Sequence, residues 1–433
     1  MKLALKIALI LEALLAYIYV SLTNGIFLAY LASLGYGAGA MSLVVMASSL
    51  PPIFIGYLYF KKPSLFLLTT KKKFLTVHAG ERLIWLVVPL LSSFEGLVAV
   101  YFVKNFFSSL ISLHMNNIIY GAFDEAGIRD VTSKRSSLAS VSSIIGYFLA
   151  IVFLTVGIEG FAKAFIYGSL VGLASTMLMA LPEINVSFKG PTAIKAVEKV
   201  YSVSLYQVLY LASANLLSIL WASIIVTGLG LEGYWVTLVS LVGTVTTIFA
   251  SLFWGKRKFS DYKYSLALDA ITPFLVLIAG TPYAHLAASV YSSMFGTGSY
   301  FLGGFLYARY LGDMGPAAAS SLLMILGGTG SLLGSLIGSL GKEDYTLLAA
   351  SVVVFRVAAL LVAFLAIPEV AIVSDHMARN YASALYDVSV LGYKATVEVS
   401  KEAMLTTLRV AVLTACLMVL YIIYRAAMIL LGV

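Results

Sequence analysis

Seven ionisable side chains lie inside long apolar stretches of the sequence, where their chemistry would depend most on their surroundings. They are Glu12, Glu81, Arg82, Lys104, His114, Asp269 and Arg356. A charge inside an apolar stretch that crosses a bilayer is costly, so each of the seven is a functional candidate by default. Glu12 and His114 could carry a proton, because carboxyl and imidazole groups both titrate. The alternative is structural: a neighbour holds each group, as Glu12 or Glu95 would hold Lys104.

Side-chain amides and aromatic rings form a second group of candidates. Asn24 and Asn215 each offer an amide that both donates and accepts hydrogen bonds, which suits the orientation of a small polar ligand. Their alternative role is a hydrogen bond between helices, which contributes about 1 kcal/mol or less. Tyr210 and Trp221 could contact the same ligand. They could equally belong to the aromatic belt that membrane proteins place at the bilayer surface.

Motifs that mark an enzyme or a metal site fail when tested against the sequence. It contains no H-E-x-x-H pair and no G-x-S-x-G motif, and its histidines lack the spacing of metal ligands. These histidines are His78, His114, His285 and His376. The single cysteine, Cys416, excludes a disulfide framework and a cysteine metal site. We therefore expect no enzymatic activity, no cofactor and no metal ion.

Composition assigns the chain to the membrane. Of its 433 residues 61% are hydrophobic and only 11% are charged, and the mean hydropathy is +0.98. A soluble domain of this size does not bury so much apolar surface, so we expect a polytopic membrane protein whose partner is the lipid bilayer. The net charge of +8 comes from basic residues in short connections between apolar runs. We therefore expect no nucleic-acid binding.

Twelve apolar runs before residue 367 are long enough to cross a bilayer as helices, and a thirteenth follows near the end of the sequence. Spans 1 to 12 are predicted at about 7–31, 38–60, 74–92, 95–119, 137–157, 161–181, 203–227, 233–254, 264–280, 283–308, 316–340 and 345–366. The first run continues to about Leu31 without a signal-peptide cleavage site, so it is predicted to remain as a span.

The distribution of Lys and Arg predicts the orientation. Twenty-two of the 28 fall in connections on one side of the membrane and three on the other, with Arg82, Lys104 and Arg356 left inside apolar runs. This asymmetry places the N-terminus in the cytoplasm of a protein of the plasma membrane. We call the side that holds Lys61, Lys62 and most other basic residues the basic side, and the other the opposite side.

The twelve spans divide into two halves of six. A long connection at 182–202 separates residues 1–181 from residues 203–366. The halves resemble each other weakly: Asn24 in span 1 precedes Gly56 and a basic pair, and Asn215 in span 7 precedes Gly255 and three basic residues. Parallel six-span halves are typical of one large transporter architecture.

With these features the chain resembles the major facilitator superfamily over residues 1–366. Gly56 and the basic pair Lys61-Lys62 match the loop that follows span 2 in the superfamily, but Phe60 stands where an aspartate is expected. The Gly-Pro signature of span 5 in its antiporters is absent. The resemblance implies an all-α bundle of six plus six spans that moves a small solute by alternating access. Since the sequence has no ATP-binding module, coupling would come from a gradient of a substrate or an ion. Protons are the default coupling ion.

The resemblance also implies where a substrate would bind. Spans 1, 4, 7 and 10 line the central cavity in the superfamily, so Lys104 and its neighbour Asn105 would face a small organic anion or take part in a charge switch. Asn24, Asn215, Tyr210 and Trp221 would complete the site. Spans 3, 6, 9 and 12 are peripheral, which favours structural pairing for Glu81, Arg82, Asp269 and Arg356. The alternative function is a membrane scaffold or sensor that does not transport.

A glycine repeat lies in span 11. Gly330, Gly334 and Gly338 recur every four residues, and the segment lacks the spacing of a phosphate-binding loop. Glycines at this spacing allow close helix packing. By the resemblance, span 11 meets span 2 near Gly56 across the boundary between halves, so these four glycines are predicted to pack the halves together.

The C-terminal region follows span 12 in two parts. Apolar residues recur at steps of three and four within 367–405, which predicts an amphipathic helix on the basic side of the membrane, with a solvated tether as the alternative. Residues 406–433 are predicted to form the thirteenth transmembrane helix.

Overall fold

A computed structural model of the chain describes residues 2–66, 68–91, 93–187, 197–310 and 316–391. The predicted thirteenth span at 406–433 lies outside these residues, and so does the last part of the predicted amphipathic segment, 392–405. Within the described residues the chain is almost entirely helical, as its apolar composition requires, since a helix satisfies its own backbone hydrogen bonds in lipid.

The first half contains spans 1 to 6. Its helices, in chain order, are Lys2–Leu22 and Phe27–Ser33 (span 1), Ala38–Ser48 and Leu50–Lys61 (span 2), Lys71–Ile84 (span 3), Phe94–Ala122 (span 4), Glu125–Leu154 (span 5) and Ile158–Ala180 (span 6). Span 1 is broken by a short 3-10 turn at Asn24–Ile26.

The second half contains spans 7 to 12. Its helices are Val197–Ser223 (span 7), Tyr234–Trp254 (span 8), Tyr262–Asp269 and Thr272–Ile278 (span 9), Pro282–Tyr310 (span 10), Pro316–Gly341 (span 11) and Tyr345–Ala366 (span 12). Spans 1 and 7 end similarly, because Gly35 and Gly230 follow them with φ of 86° and 65°. Only glycine adopts this left-handed conformation readily.

Among the described residues, nine helical segments are long and apolar enough to cross a membrane on length and composition alone. Spans 3, 9 and 10 fall outside this set. The helix of span 3 has 14 residues, and span 9 is broken before Pro273 into helices of eight and seven residues. Span 10 is a long helix whose sequence contains many Ser, Gly and Tyr residues. The helices of spans 3 and 9 are therefore too short, and span 10 is too polar, to join the other nine on length and composition.

A two-stranded antiparallel sheet on the basic side was not predicted. Strand β1 (Leu68–Thr70) follows span 2, and strand β2 (Asn185–Ser187) lies at the start of the connection between halves. Span 4 packs against β1, and His114 Nδ1 of this span lies 2.9 Å from the Thr69 hydroxyl. Strands of three residues are too short to show the period of two that identifies a strand in a sequence.

A helix at Asp375–Leu391 follows span 12 and packs against spans 12 and 7. Its buried face includes Ala378 and Ala382, whereas the larger Met377 and Tyr381 are more than 40% exposed. Small residues thus form the contact with the bundle, and larger apolar residues are left on the outside of this helix.

Contacts between the halves close the opposite side of the molecule. The Glu343 carboxylate, in the turn between spans 11 and 12, accepts a hydrogen bond from the Ala38 backbone N–H at 3.3 Å, where span 2 begins. A negative charge is favourable at the start of a helix. Nearby, a Cβ at Gly39 would lie 3.9 Å from Lys342 Cβ, so the two backbones run close together.

Candidate functional site

A cavity of about 470 Å³ lies between the halves, bordered by spans 1, 4 and 5 of the first half and span 8 of the second. Its lining residues are Tyr17, Met115, Asn116, Ile119, Tyr120, Thr132, Arg135, Ser136, Ala139, Ser140, Ser143, Thr244 and Thr247. They extend from the basic-side ends of spans 4 and 5 to the middle of spans 1 and 8. The cavity therefore reaches about halfway across the membrane from the basic side.

Ten of the thirteen residues that line this cavity carry a polar or charged group. Six of the thirteen residues are Ser or Thr, two are Tyr and one is Asn. Of the described residues that line it, Arg135 alone carries a formal charge. Polar groups inside an apolar bundle are costly unless they form hydrogen bonds, whether with water or with a solute. The polar groups of the lining could therefore orient a polar molecule by hydrogen bonds, beside apolar surface that would contact the rest of it.

The hydroxyl groups lie in this cavity because of their spacing along two helices. Thr132, Ser136, Ser140 and Ser143 follow one another at steps of four, four and three, so they share one face of span 5. Sequence reasoning missed them because it considered ionisable groups, amides and aromatic rings only. The helical spacing of small hydroxyl residues was the signal that could have found them.

Behind the cavity wall lies a group of buried charges that we call the first-half charge network. It consists of Glu12, His78, Glu81, Arg82 and Arg135. The Glu12 carboxylate is 2% exposed and lies 2.8 Å from Arg135, 3.3 Å from His78 Nε2 and 3.8 Å from Arg82. Arg135 also donates to the Leu9 carbonyl. Since Arg135 lines the cavity, it connects the cavity to Glu12.

Glu81 occupies the other end of this network. Its carboxylate lies 2.6 Å from Arg82 and accepts hydrogen bonds from the Tyr19 hydroxyl at 2.6 Å and the Ser108 hydroxyl at 3.0 Å. The Arg82 guanidinium also stacks over the Tyr19 ring, 4.8 Å from its centre. The pairing expected for Glu81 and Arg82 is therefore present, and it joins spans 1, 3 and 4.

Lys104 lies on the opposite-side half of span 4 and is 7% exposed. Its amine donates to Asn24 Oδ1 at 2.8 Å and lies 5.5 Å and 5.8 Å from the ring centres of Tyr101 and Trp85. Neither Glu12 nor Glu95 pairs with it, and in the part of the chain that the structure describes it has no ion pair. The ammonium is held by an amide oxygen and two aromatic faces instead.

The remaining predicted binding residues use their polar groups within their own half. Asn215 Nδ2 donates to the Leu211 carbonyl at 3.0 Å. The other contacts are Asn105 Nδ2 to the Tyr101 carbonyl at 2.9 Å, the Tyr210 hydroxyl to the Gly296 carbonyl at 2.9 Å, and Trp221 Nε1 to His285 Nδ1 at 3.0 Å. The structure brings Asn24, Lys104 and Asn105 together near Tyr101. None of the six predicted residues lines the cavity described above.

The two proton-carrying candidates lie in different environments. Glu12 belongs to the first-half charge network, directly behind the cavity-lining Arg135. His114 lies under strand β1, with Thr69 as its hydrogen-bond partner. The two residues are therefore not parts of one cluster.

Asp269 and Arg356 form a buried ion pair in the second half, with 2.6 Å between carboxylate and guanidinium. Arg356 also donates to the Asp269 backbone carbonyl, and the Thr272 hydroxyl donates to the carboxylate at 3.2 Å. This pair joins spans 9 and 12. It supplies the partner that Arg356 lacks in its own helix and agrees with the pairing expected from the sequence.

The glycine repeat of span 11 corrects one prediction. Cβ atoms at Gly330 and Gly334 would meet Val208 and Ala212 of span 7, which belongs to the same half, so packing of these two glycines across the halves is wrong. Gly338 lies between Ser42 of span 2 and Leu216 of span 7. A four-residue repeat drifts slowly around a helix with 3.6 residues per turn. It therefore cannot keep one face on one neighbour.

The contact between spans 2 and 11 depends on other residues as well. Gly56 lies against Ser321 and Ile325, and a Cβ at Gly328 would lie 2.8 Å from the Ser49 carbonyl. Next to this contact, Asn116 of span 4 donates to the Ser320 hydroxyl of span 11. Gly328, which sequence reasoning missed, lies at the contact with span 2 in the middle of span 11.

Comparisons with known proteins agree with this architecture. No protein-family model matches the sequence, and no curated protein matches it. A mutant of the nucleoside transporter NupG superposes with a TM-score of 0.61 at 14% identity, over 83% of this chain and 99% of that one. A bacterial homologue of the human lysosomal transporter Spinster, inward-facing and occupied, gives 0.59 at 12% identity, over 84% and 95%.

The chain is thus a multi-pass membrane protein. NupG and Spinster are transporters of the major facilitator type, and the chain has their fold, with two six-span halves. The resemblance to this superfamily that the sequence predicted is confirmed at the level of the fold.

Proposed function

We propose that the protein is a secondary active transporter that moves a small polar solute by alternating access. The observation that carries the proposal is the polar cavity between the halves. It reaches the middle of the membrane from the basic side, while Glu343 and Ala38 hold the opposite side closed. A site that is open to one side and closed to the other is one of the two states that alternating access requires.

The proposed coupling ion is the proton, and Glu12 is its proposed carrier. Glu12 is buried, and its partner Arg135 lines the cavity, so a change in the charge of Glu12 would change how strongly Arg135 is held. Solute and proton would thereby act on the same arginine. Loss of Glu12 should remove accumulation driven by a proton gradient and leave exchange of solute for solute intact.

The predicted organic anion depended on Lys104, which lies outside the lining of this cavity. We therefore propose Lys104 as a charge switch rather than as a ligand of the bound solute. Its partner Asn24 lies at the break in span 1, where a movement of that span would separate them. From the distribution of basic residues we also propose that the basic side is cytoplasmic and that the protein resides in the plasma membrane.

Uptake by proteoliposomes tests the proposed function. Purified protein would be offered labelled nucleosides, chosen because NupG is a nucleoside transporter, with sugars and organic anions, with and without a proton gradient. We expect uptake of at least one solute above that of empty liposomes. Binding of solutes without flux under any gradient would contradict transport and favour the scaffold or sensor.

A further inference from the structure

We propose that the cavity between spans 1, 4, 5 and 8 binds a neutral, polyhydroxylated solute, such as a monosaccharide or a cyclic polyol. The inference rests on the proposed transport function only in assuming that the solute bound there is the solute moved. It is based on which hydrogen bonds the lining can still form, on its charge and on its size.

The lining offers both hydrogen-bond acceptors and hydrogen-bond donors, because eight of its residues carry a hydroxyl group. The Ser140 and Thr244 hydroxyls donate their hydrogens to the Ser136 and Ser240 carbonyls of their own helices, at 3.2 Å and 2.8 Å. A hydroxyl whose hydrogen is used in this way presents only oxygen lone pairs to the cavity. Asn116 donates one of its two amide hydrogens to Ser320, which leaves its amide oxygen and its second N–H. A solute that fits this lining must donate hydrogen bonds to these oxygens and accept hydrogen bonds from the other hydroxyls.

The charge of the lining favours a neutral solute. Arg135 is paired with Glu12 at 2.8 Å and also donates to the Leu9 carbonyl, so its charge is already compensated. An anion would find as its counter-charge only an arginine that is already paired. A cation would find no counter-charge, because no carboxylate is among the described residues that line the cavity. Neutral molecules that both donate and accept hydrogen bonds remain, and a polyol is the chemical class that carries several such hydroxyl groups on a small frame.

Size and shape agree with this class. A cavity of about 470 Å³ is within the range of roughly 300–1,000 Å³ that small-molecule sites occupy. Tyr17 and Tyr120 add two aromatic rings to the lining. An aromatic face packs well against the C–H face of a sugar ring. The hydrogens of the sugar C–H bonds are weakly positive, and the face of the aromatic ring is negative.

The test uses the full-length protein in liposomes and detergent. Binding of D-glucose, myo-inositol, lactate and choline is measured by thermal stabilisation, and flux of each by exchange between loaded vesicles and labelled solute outside. Thr244→Val removes an acceptor that lines the cavity. Thr246→Val is the matched control, because Thr246 makes the same kind of backbone hydrogen bond, to Val242 at 2.9 Å, but does not line the cavity.

We expect glucose or inositol to bind, and Thr244→Val to raise its half-saturation concentration about five- to tenfold, as loss of one hydrogen bond does. Thr246→Val should leave that concentration within about twofold of the unmodified protein. Binding of lactate or choline without a polyol, or equal weakening by both variants, would overturn the proposal. Polyol binding without flux would leave the solute class standing and contradict the transport function instead.

Discussion

Single buried charges show how the two halves differ. The first half holds five interacting charged or titratable groups behind the cavity, plus Lys104 near Asn24. In the second half, Asp269 and Arg356 form a closed pair that joins two spans. A pair with matched charges and several hydrogen bonds suits a structural role, whereas an ammonium held by an amide can change partners.

Removal of Arg356 should destabilise the protein. Arg356→Met leaves the Asp269 carboxylate buried without its partner, which costs about 3–5 kcal/mol. The double variant Asp269→Asn/Arg356→Met removes both charges and should recover most of the lost stability. Thermal unfolding in detergent measures both. A double variant that is as unstable as the single one would contradict a closed ion pair.

Removal of the Lys104 charge should stop transport without unfolding the protein. Lys104→Ala breaks the contact with Asn24, so flux should fall to the level of empty liposomes while solute binding persists. Lys163→Ala, which removes an exposed lysine of span 6, is the control and should keep full flux. Unchanged flux in Lys104→Ala would contradict the proposed role of Lys104 as a charge switch.

At the scale of elements, span 11 contacts different neighbours on its two faces. Gly328 approaches span 2 of the other half, whereas Gly330 and Gly334 approach span 7 of the same half. A substitution on the first face should affect movement between the halves, and one on the second should affect folding of the second half. Gly334→Leu is therefore expected to lower the melting temperature.

A large side chain at Gly328 should slow exchange between the two states. Gly328→Leu would push against the Ser49 carbonyl, Pro52 and Ile53, and such overpacking costs about 1–3 kcal/mol. Flux should fall while solute binding on the basic side persists. Gly327→Leu is the matched control, since nothing lies within 4 Å of a Cβ there. Equal loss of flux in both variants would contradict a special role for the contact with span 2.

Most spans could be predicted from hydropathy, because about 20 apolar residues in a row are a strong local signal. The strands β1 and β2 could not, since they pair segments that are distant in the sequence. The residues of the candidate site were harder to predict from the sequence than the spans. The partner of Arg356 lies 87 residues away, and the cavity depends on neutral hydroxyls in spans 5 and 8, which a search for charges overlooks.

At the scale of the whole molecule, the cavity lies between the halves and the opposite side is closed by spans 1, 2, 8 and 11. Glu343 contacts the start of span 2, and Ser33 at the end of span 1 lies 2.8 Å from the Cβ position of Gly233. Spans 2 and 11 touch along their length, from Gly56 to Gly39. Alternating access requires that these contacts on the opposite side separate while the basic side closes.

A reversible cross-link on the opposite side tests this requirement most directly. The variant Gly39→Cys/Lys342→Cys, with Cys416→Ser, places two Cβ atoms about 3.9 Å apart, the separation that a disulfide needs. We predict that oxidation stops solute flux in proteoliposomes while binding persists, and that reduction restores flux; each single variant should keep flux under both conditions. Full flux with the cross-link in place would contradict alternating access.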